Sequence, residues 1–224
     1  MQSAIGQILR RRRPLRVLAV AVGLGTALVD FAIVTYRFDS MNRGALAIAA
    51  FVAIVWITDG DRISMGLRLT PKQGWILWIR MSAIIGAAVA TCIGIGLGVA
   101  TLAGKQIPIY TTEPSGIVPR FLDMCFVYPI LEEAIYRVAV CVPLVPAVGC
   151  WRTIAMNGIL FGVLHVAYGN PSPENLVGGF FLSWAYLKSE SILIPFILHA
   201  GGNFVVLLAQ IAGWYVLEIG RAHV

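Results

Sequence analysis

The chain has 224 residues, 58% of them apolar and only 12% charged, with a mean hydropathy of +0.82. Soluble domains carry about a quarter charged residues, so an ordinary soluble domain is excluded, and the length suits one domain crossed by six to eight spans of about 20 residues. The net charge of +6 does not point to nucleic acid, because the arginines Arg10 to Arg13 and Arg16 cluster ahead of the first apolar run. That is a topology signal, expected to hold the N-terminus in the cytoplasm and to touch anionic lipid.

Residues 15–36 read as the first span, an uncleaved helix because the apolar stretch is long and no clean small-x-small cleavage site follows it. Asp30 stands near its end and is expected to reach the membrane interface. A short loop with Arg37, Asp39 and Arg43 leads to a second apolar run, Ala45 to Thr58, which Asp59-Gly60-Asp61-Arg62 stops. Arg62 to Lys72 reads as a basic surface loop on the side of the N-terminus, with Thr70-Pro71 as a helix start. Trp75 and Trp78 beside Arg80 read as an interfacial aromatic belt. The third span is expected from Trp75 to Leu102, its glycines Gly94, Gly96 and Gly98 open to a neighbouring helix.

Lys105 to Gly116, with Pro108, Glu113 and Pro114, is a loop that divides one integrated membrane domain into a lead-in of residues 1–115, a core of residues 116–216 and a tail of residues 217–224. A fourth span, Ile117 to Val142, is kinked at Pro129 and ended by Pro143 and Pro146. The fifth, Trp151 to Tyr168, precedes the turn from Asn170 through Ser172 to Glu174; Leu176 to Leu187 is a short sixth and Ile192 to Val216 a seventh. The fold class expected is all-α, a polytopic transmembrane helical bundle of about seven spans. Cys92, Cys125, Cys141 and Cys150 have no Cys-x-x-Cys spacing and read as small buried hydrophobes. His223 reads as a solvated terminal residue.

Charge inside the fourth span needs a reason, because an ionisable group at membrane depth is by default paired, inward-facing and functional. Glu133 and Arg137 stand at i, i+4 with the acid first, the better order for a pair on one helix. Glu132 lies about 100° further round the helix, has no basic residue one turn away, and is left to meet another helix. Tyr136, one turn on, is a candidate hydrogen-bond donor to it. Two later segments supply partners: Phe161 and His165 are one turn apart in the fifth span, and His199 and Asn203 are one turn apart in the seventh. Facing helices build sites in bundle cores in this way.

These residues resemble the CPBP family of intramembrane proteases, which includes the type II prenyl-CAAX endopeptidases and the bacterial abortive-infection and bacteriocin-processing proteins. The resemblance rests on Glu132-Glu133-x-x-x-Arg137, then Phe161-x-x-x-His165, then His199-x-x-x-Asn203, in that order, over roughly Gly116 to Val216. Gly66-Leu67-Arg68 and the apolar helix after it look like the family's lead-in. The resemblance implies a multi-pass protein of the plasma (inner) membrane, if bacterial, that binds a hydrophobic or lipidated peptide and cuts it near the membrane surface. Glu133 and Arg137 would hold the geometry and Phe161 would shape the wall.

In chemical terms Glu132 and His165 can activate water, while His199 and Asn203 can direct N–H groups at a developing oxyanion. No metal is expected, although the family carries both labels, glutamic peptidase and metallopeptidase. The rival is a zinc held by Glu133, His165 and His199 with Glu132 as base. Two other classes remain: a proton-coupled carrier, which lacks support from any internal repeat, and a catalytically silent immunity or scaffold protein of the same fold.

Overall fold

The structure, a computed structural model, describes residues 1–105, 110–171 and 173–222; Pro108, Ser172 and His223 lie outside the described residues. The chain forms the all-α membrane bundle that its composition predicts. In order it runs α1 (Gln7–Arg11), α2 (Arg13–Thr35), α3 (Ser40–Ile57), α4 (Trp75–Leu102), α5 (Ile117–Leu122), α6 (Tyr128–Glu132), α7 (Val142–Val148), α8 (Cys150–Ala167), α9 (Pro173–Ser189) and α10 (Leu193–Ala222). π-helical segments at Asp123–Val127 and Glu133–Cys141 join α5 to α6 and α6 to α7. Among the described residues there is no strand, only an isolated antiparallel bridge between Leu67 and Ser191. Among the described residues, the helices long and apolar enough to cross a membrane are α2, α3, α4, α8 and α10, the last over Leu193–Val216. This is an integral membrane protein.

Two compact units emerge, Met1–Lys72 with Tyr128–His199 and Gln73–Val127 with Ala200–Val224. The sequence boundary at residues 115 and 116 falls inside the second. In the first unit, α3 starts at Asp39, whose carboxylate accepts from the Met41 amide at 3.1 Å, a helix N-cap. Residues 62–72 are not the exposed loop expected. Ser64, Met65 and Gly66 are buried, and the segment is bonded to the α9–α10 turn: Ile192 N–H to Gly66 O at 2.7 Å, Ser191 Oγ–H to Arg68 O at 2.6 Å and Lys72 N–H to Ser189 O at 2.8 Å. Gly66 has φ +63°, and a Cβ there would lie 2.6 Å from the Tyr186 ring, so the turn needs glycine on both counts. No helix starts at Thr70-Pro71, and α4 begins only at Trp75, after Gly74.

Pro143 and Pro146 do not end their helix. Pro143 sits in the first turn of α7, where no N–H is needed, and the helix runs past Pro146 to stop at Gly149. The two prolines deprive the Ala139 and Val142 carbonyls of their ordinary α-helical donors. Those carbonyls are the atoms that Gly23 and Gly6 approach: a Cβ at either glycine would meet them at 2.4 Å. α8 and α9 are also joined through glycines. A Cβ at Gly158 would lie 2.6 Å from the Phe180 ring, and one at Gly179 would lie 2.9 Å from Phe161 Cβ, so small residues set the helix separation.

In the second unit, Gln210 of α10 accepts from the Thr112 hydroxyl at 2.9 Å and from Arg120 at 3.3 Å. Phe121 meets Phe126 and Phe204 edge-on at 5.4 and 5.9 Å. Three expectations for α4 are corrected here. Trp78 is buried, its indole directed to Gln73 at 3.3 Å rather than to an interface. Cys92 is exposed. Gly94, Gly96 and Gly98 face open space, with no described atom near enough to require a glycine.

Candidate active site

The site is built in the first unit where α6 passes into the π-helical segment. Glu133 and Arg137 form the expected pair, Nε to Oε2 at 2.9 Å, and both are buried. The Arg137 Nη1 also donates to Asn157 Oδ1 at 3.3 Å, and its guanidinium carbon lies 5.1 Å from the Phe161 ring centre. Asn157 passes the contact back to the helix by donating to the Tyr136 carbonyl. Such a pair is stable out of water only because hydrogen bonds satisfy the remaining polar atoms.

Glu132 meets a different cation. Arg43 Nη1 donates to its Oε1 at 3.0 Å, while the rest of that guanidinium grips Asp30, Nε to Oδ1 at 2.7 Å and Nη2 to Oδ2 at 3.1 Å. Arg43 also donates to the Tyr168 hydroxyl. Arg43 is therefore part of α3 rather than of a loop, and Asp30 is fully buried rather than at an interface. The cause is the short turn between α2 and α3, which brings an acid near the end of one helix beside a base near the start of the next. Tyr136 is redirected by the same network, its hydroxyl donating to Asp30 Oδ2 at 2.9 Å and not to Glu132.

The histidines enter from two further helices. His199 Nδ1 lies 2.9 Å from Glu133 Oε1, and its Nε2 lies 3.6 Å from Glu132 Oε2. A carboxylate paired with arginine only accepts, so Nδ1 carries the proton and Nε2 is the face turned to Glu132. His165 Nδ1 is 2.9 Å from the Phe161 carbonyl, which likewise commits that nitrogen as donor and leaves Nε2 as acceptor. Phe161, buried, lies between them, its ring centre 4.5 Å from that of His165 and 5.8 Å from that of His199. Asn203 belongs to the second unit, where its amide donates to the Met124 carbonyl at 2.7 Å.

Glu132, Glu133, Arg137, Phe161 and His199 are thus joined in one chain of contacts, with the His165 ring tilted against Phe161. The sequence reading missed Asp30 and Arg43 as a pair, Tyr168 and Asn157. Asn157 was within reach of the periodicity, since Asn157, Phe161 and His165 follow one another at successive helical turns. Among the described residues no three of His, Cys, Asp and Glu are gathered as ligands for an ion. Glu133 lies against His199 through Oε1 and against Arg137 through Oε2.

A bilayer-spanning helical bundle with two carboxylates, each on its own arginine, and histidines inserted among them defines the class: a membrane protein with a buried ionisable site. Residues 114–205 match the model of a family described as Type II CAAX prenyl endopeptidase Rce1-like. The matched segment contains every motif residue from Glu132 to Asn203. No curated protein and no solved structure matches the chain.

Proposed function

We propose that this protein is an intramembrane endopeptidase that hydrolyses a peptide bond of a lipidated or otherwise hydrophobic substrate with water activated by Glu132, without a bound metal. The observation that carries this reading is the asymmetry of the two acids: Glu133 is engaged on both oxygens, whereas Glu132 is held by Oε1 and turns Oε2 toward His199 Nε2. Glu132 takes a proton from water as the water oxygen bonds to the carbonyl carbon. The C–N bond then breaks, and the amine leaves with the proton returned by Glu132. His165 Nε2 accepts the water's second hydrogen and orients it. His199, with Nδ1 committed to Glu133, offers an N–H to the oxyanion from Nε2 as imidazolium. The family resemblance implies Asn203 as a second donor to that oxyanion.

The family description favours prenylated C-terminal tails as the substrate class. The arginines before α2 favour a cytoplasmic N-terminus, in the plasma membrane if the source is bacterial. The test is cleavage of a farnesylated C-terminal peptide carrying a fluorophore and quencher by the purified protein in lipid nanodiscs. Wild type is expected to cleave it and Glu132→Gln to remain folded and inactive. Turnover at the wild-type rate in Glu132→Gln would move the base elsewhere.

A further inference from the structure

Arg43 and Asp30 lie outside the matched segment and outside all the motifs that mark the site, yet Arg43, held by Asp30, donates to one oxygen of Glu132 at 3.0 Å. We propose that Arg43, braced by Asp30, is a positioning residue that fixes Glu132 by Oε1 and so presents Oε2 to the reacting water; this rests on the reading of Glu132 as the base.

The geometry is that of a brace. Arg43 places Nε and Nη2 on the two oxygens of Asp30, a bidentate fork that sets the plane of the guanidinium. Only Nη1 then projects onward, to Glu132 Oε1 at 3.0 Å and to the Tyr168 hydroxyl. Asp30 is itself fixed by Tyr136, one turn from Glu132 on the same helical run. The contacts thus close a ring, Glu132 to Arg43 to Asp30 to Tyr136 and back along the backbone, that joins α2, α3 and the segment bearing the base. Simple glue between α2 and α3 needs the Asp30–Arg43 fork alone. The extra arm to Glu132 is what a positioning role adds. The sharing also suits a base: an arginine with no other partner would compete with the water's proton for the whole carboxylate. With its fork spent on Asp30, Arg43 reaches Glu132 through one nitrogen and leaves Oε2 free of it.

The test uses the full chain in nanodiscs with the farnesylated peptide. Arg43→Gln is expected to lower kcat about a hundredfold, the cost of a misplaced catalytic group, with KM unchanged. Arg43→Lys keeps the charge and the fold but has no fork. It is expected to melt near wild type and still to lose kcat; wild-type kcat in Arg43→Lys would reduce Arg43 to a counter-charge and overturn the proposal. A second readout needs no substrate. A membrane-permeant carbodiimide modifies protonated carboxyl groups and spares ion-paired carboxylates, and peptide mass spectrometry locates the adduct. Glu132 is expected to be spared in wild type and labelled in Arg43→Gln, and equal labelling in both would overturn the hold on Glu132. Wild type that leaves the peptide intact refutes the prenyl-peptidase reading, and the carbodiimide comparison still decides for or against Arg43.

Discussion

Arg137→Ala is the substitution whose cost the structure defines most directly. The guanidinium is wholly buried and is the ion-pair partner of Glu133 at 2.9 Å, a donor to Asn157 at 3.3 Å and a cation over the Phe161 ring. Removing it strands Glu133 with His199 as its one remaining polar contact among those described. Breaking a buried pair from one side costs about 3 to 5 kcal/mol. In a chain of this size each kcal/mol moves the melting temperature by about 2 to 4 °C, so the expected fall is roughly 6 to 20 °C. Glu132→Gln is the internal comparison. Its amide oxygen still accepts from Arg43, which keeps both bonds to Asp30, and the loss should be about 1 kcal/mol. Thermal unfolding of the two variants in the same nanodiscs, followed by intrinsic tryptophan fluorescence, measures the difference. Equal melting temperatures would refute the reasoning, because they would mean that the Glu133–Arg137 pair contributes nothing once formed.

Gly179→Ala places a methyl 2.9 Å from Phe161 Cβ and 3.0 Å from the Gly158 carbonyl. It should cost about 1 to 3 kcal/mol by overpacking and lower turnover by displacing Phe161, whereas Gly178→Ala, which meets open space, should stay within about 0.5 kcal/mol of wild type; thermal melts of the two side by side decide it. Gly6 N–H donates to Ser64 O at 2.8 Å and Ala4 N–H to Glu190 Oε1 at 2.9 Å, so the N-terminus, residues 62–72 and the α9–α10 turn share one membrane face. Single cysteines placed at Gln2 and at Leu69, with the native cysteines removed, should therefore react with an impermeant maleimide from the same, cytoplasmic, side, and labelling from opposite sides would contradict this. Purified active protein should contain no stoichiometric zinc and should survive a strong chelator. Zinc at one per chain, with activity lost on its removal and restored on its return, would replace the metal-free mechanism by the zinc one.

What was legible in the sequence was what local periodicity carries. The apolar runs gave α2, α4 and α8 to within a few residues and the start of α10, which continues past Val216 to Ala222, and the Glu133–Arg137 pair followed from i, i+4 spacing because both residues sit on one helical run. Asp30 and Arg43 were not read as partners because each, taken alone, stands near a helix end where a charged group commonly reaches water. Their pairing depends on α2 and α3 folding back on each other, although the shortness of the turn between Thr35 and Ser40 was the available signal. The prolines misled for a related reason. Pro143 and Pro146 weaken an isolated helix, but here the carbonyls they disturb lie against glycines of a neighbouring helix and of the N-terminal segment, a tertiary circumstance that no propensity contains.

Glu132 and Glu133 adjoin in the chain, yet the turn of the helix separates their directions and gives each a cation of different origin. Arg137 arrives with Glu133 as soon as their own segment is helical. Arg43 reaches Glu132 only when the α2–α3 hairpin has docked on that segment, since the donor and its brace lie 89 and 102 residues away along the chain. Glu133 is therefore neutralised locally, and Glu132, the proposed base, has its ion pair completed by tertiary assembly. An incompletely docked bundle would retain the Glu133–Arg137 pair while leaving Glu132 without its anchor. If Glu132 is the base proposed above, hydrolysis would depend on the packing of α2 and α3, which lie outside the motif-bearing segment.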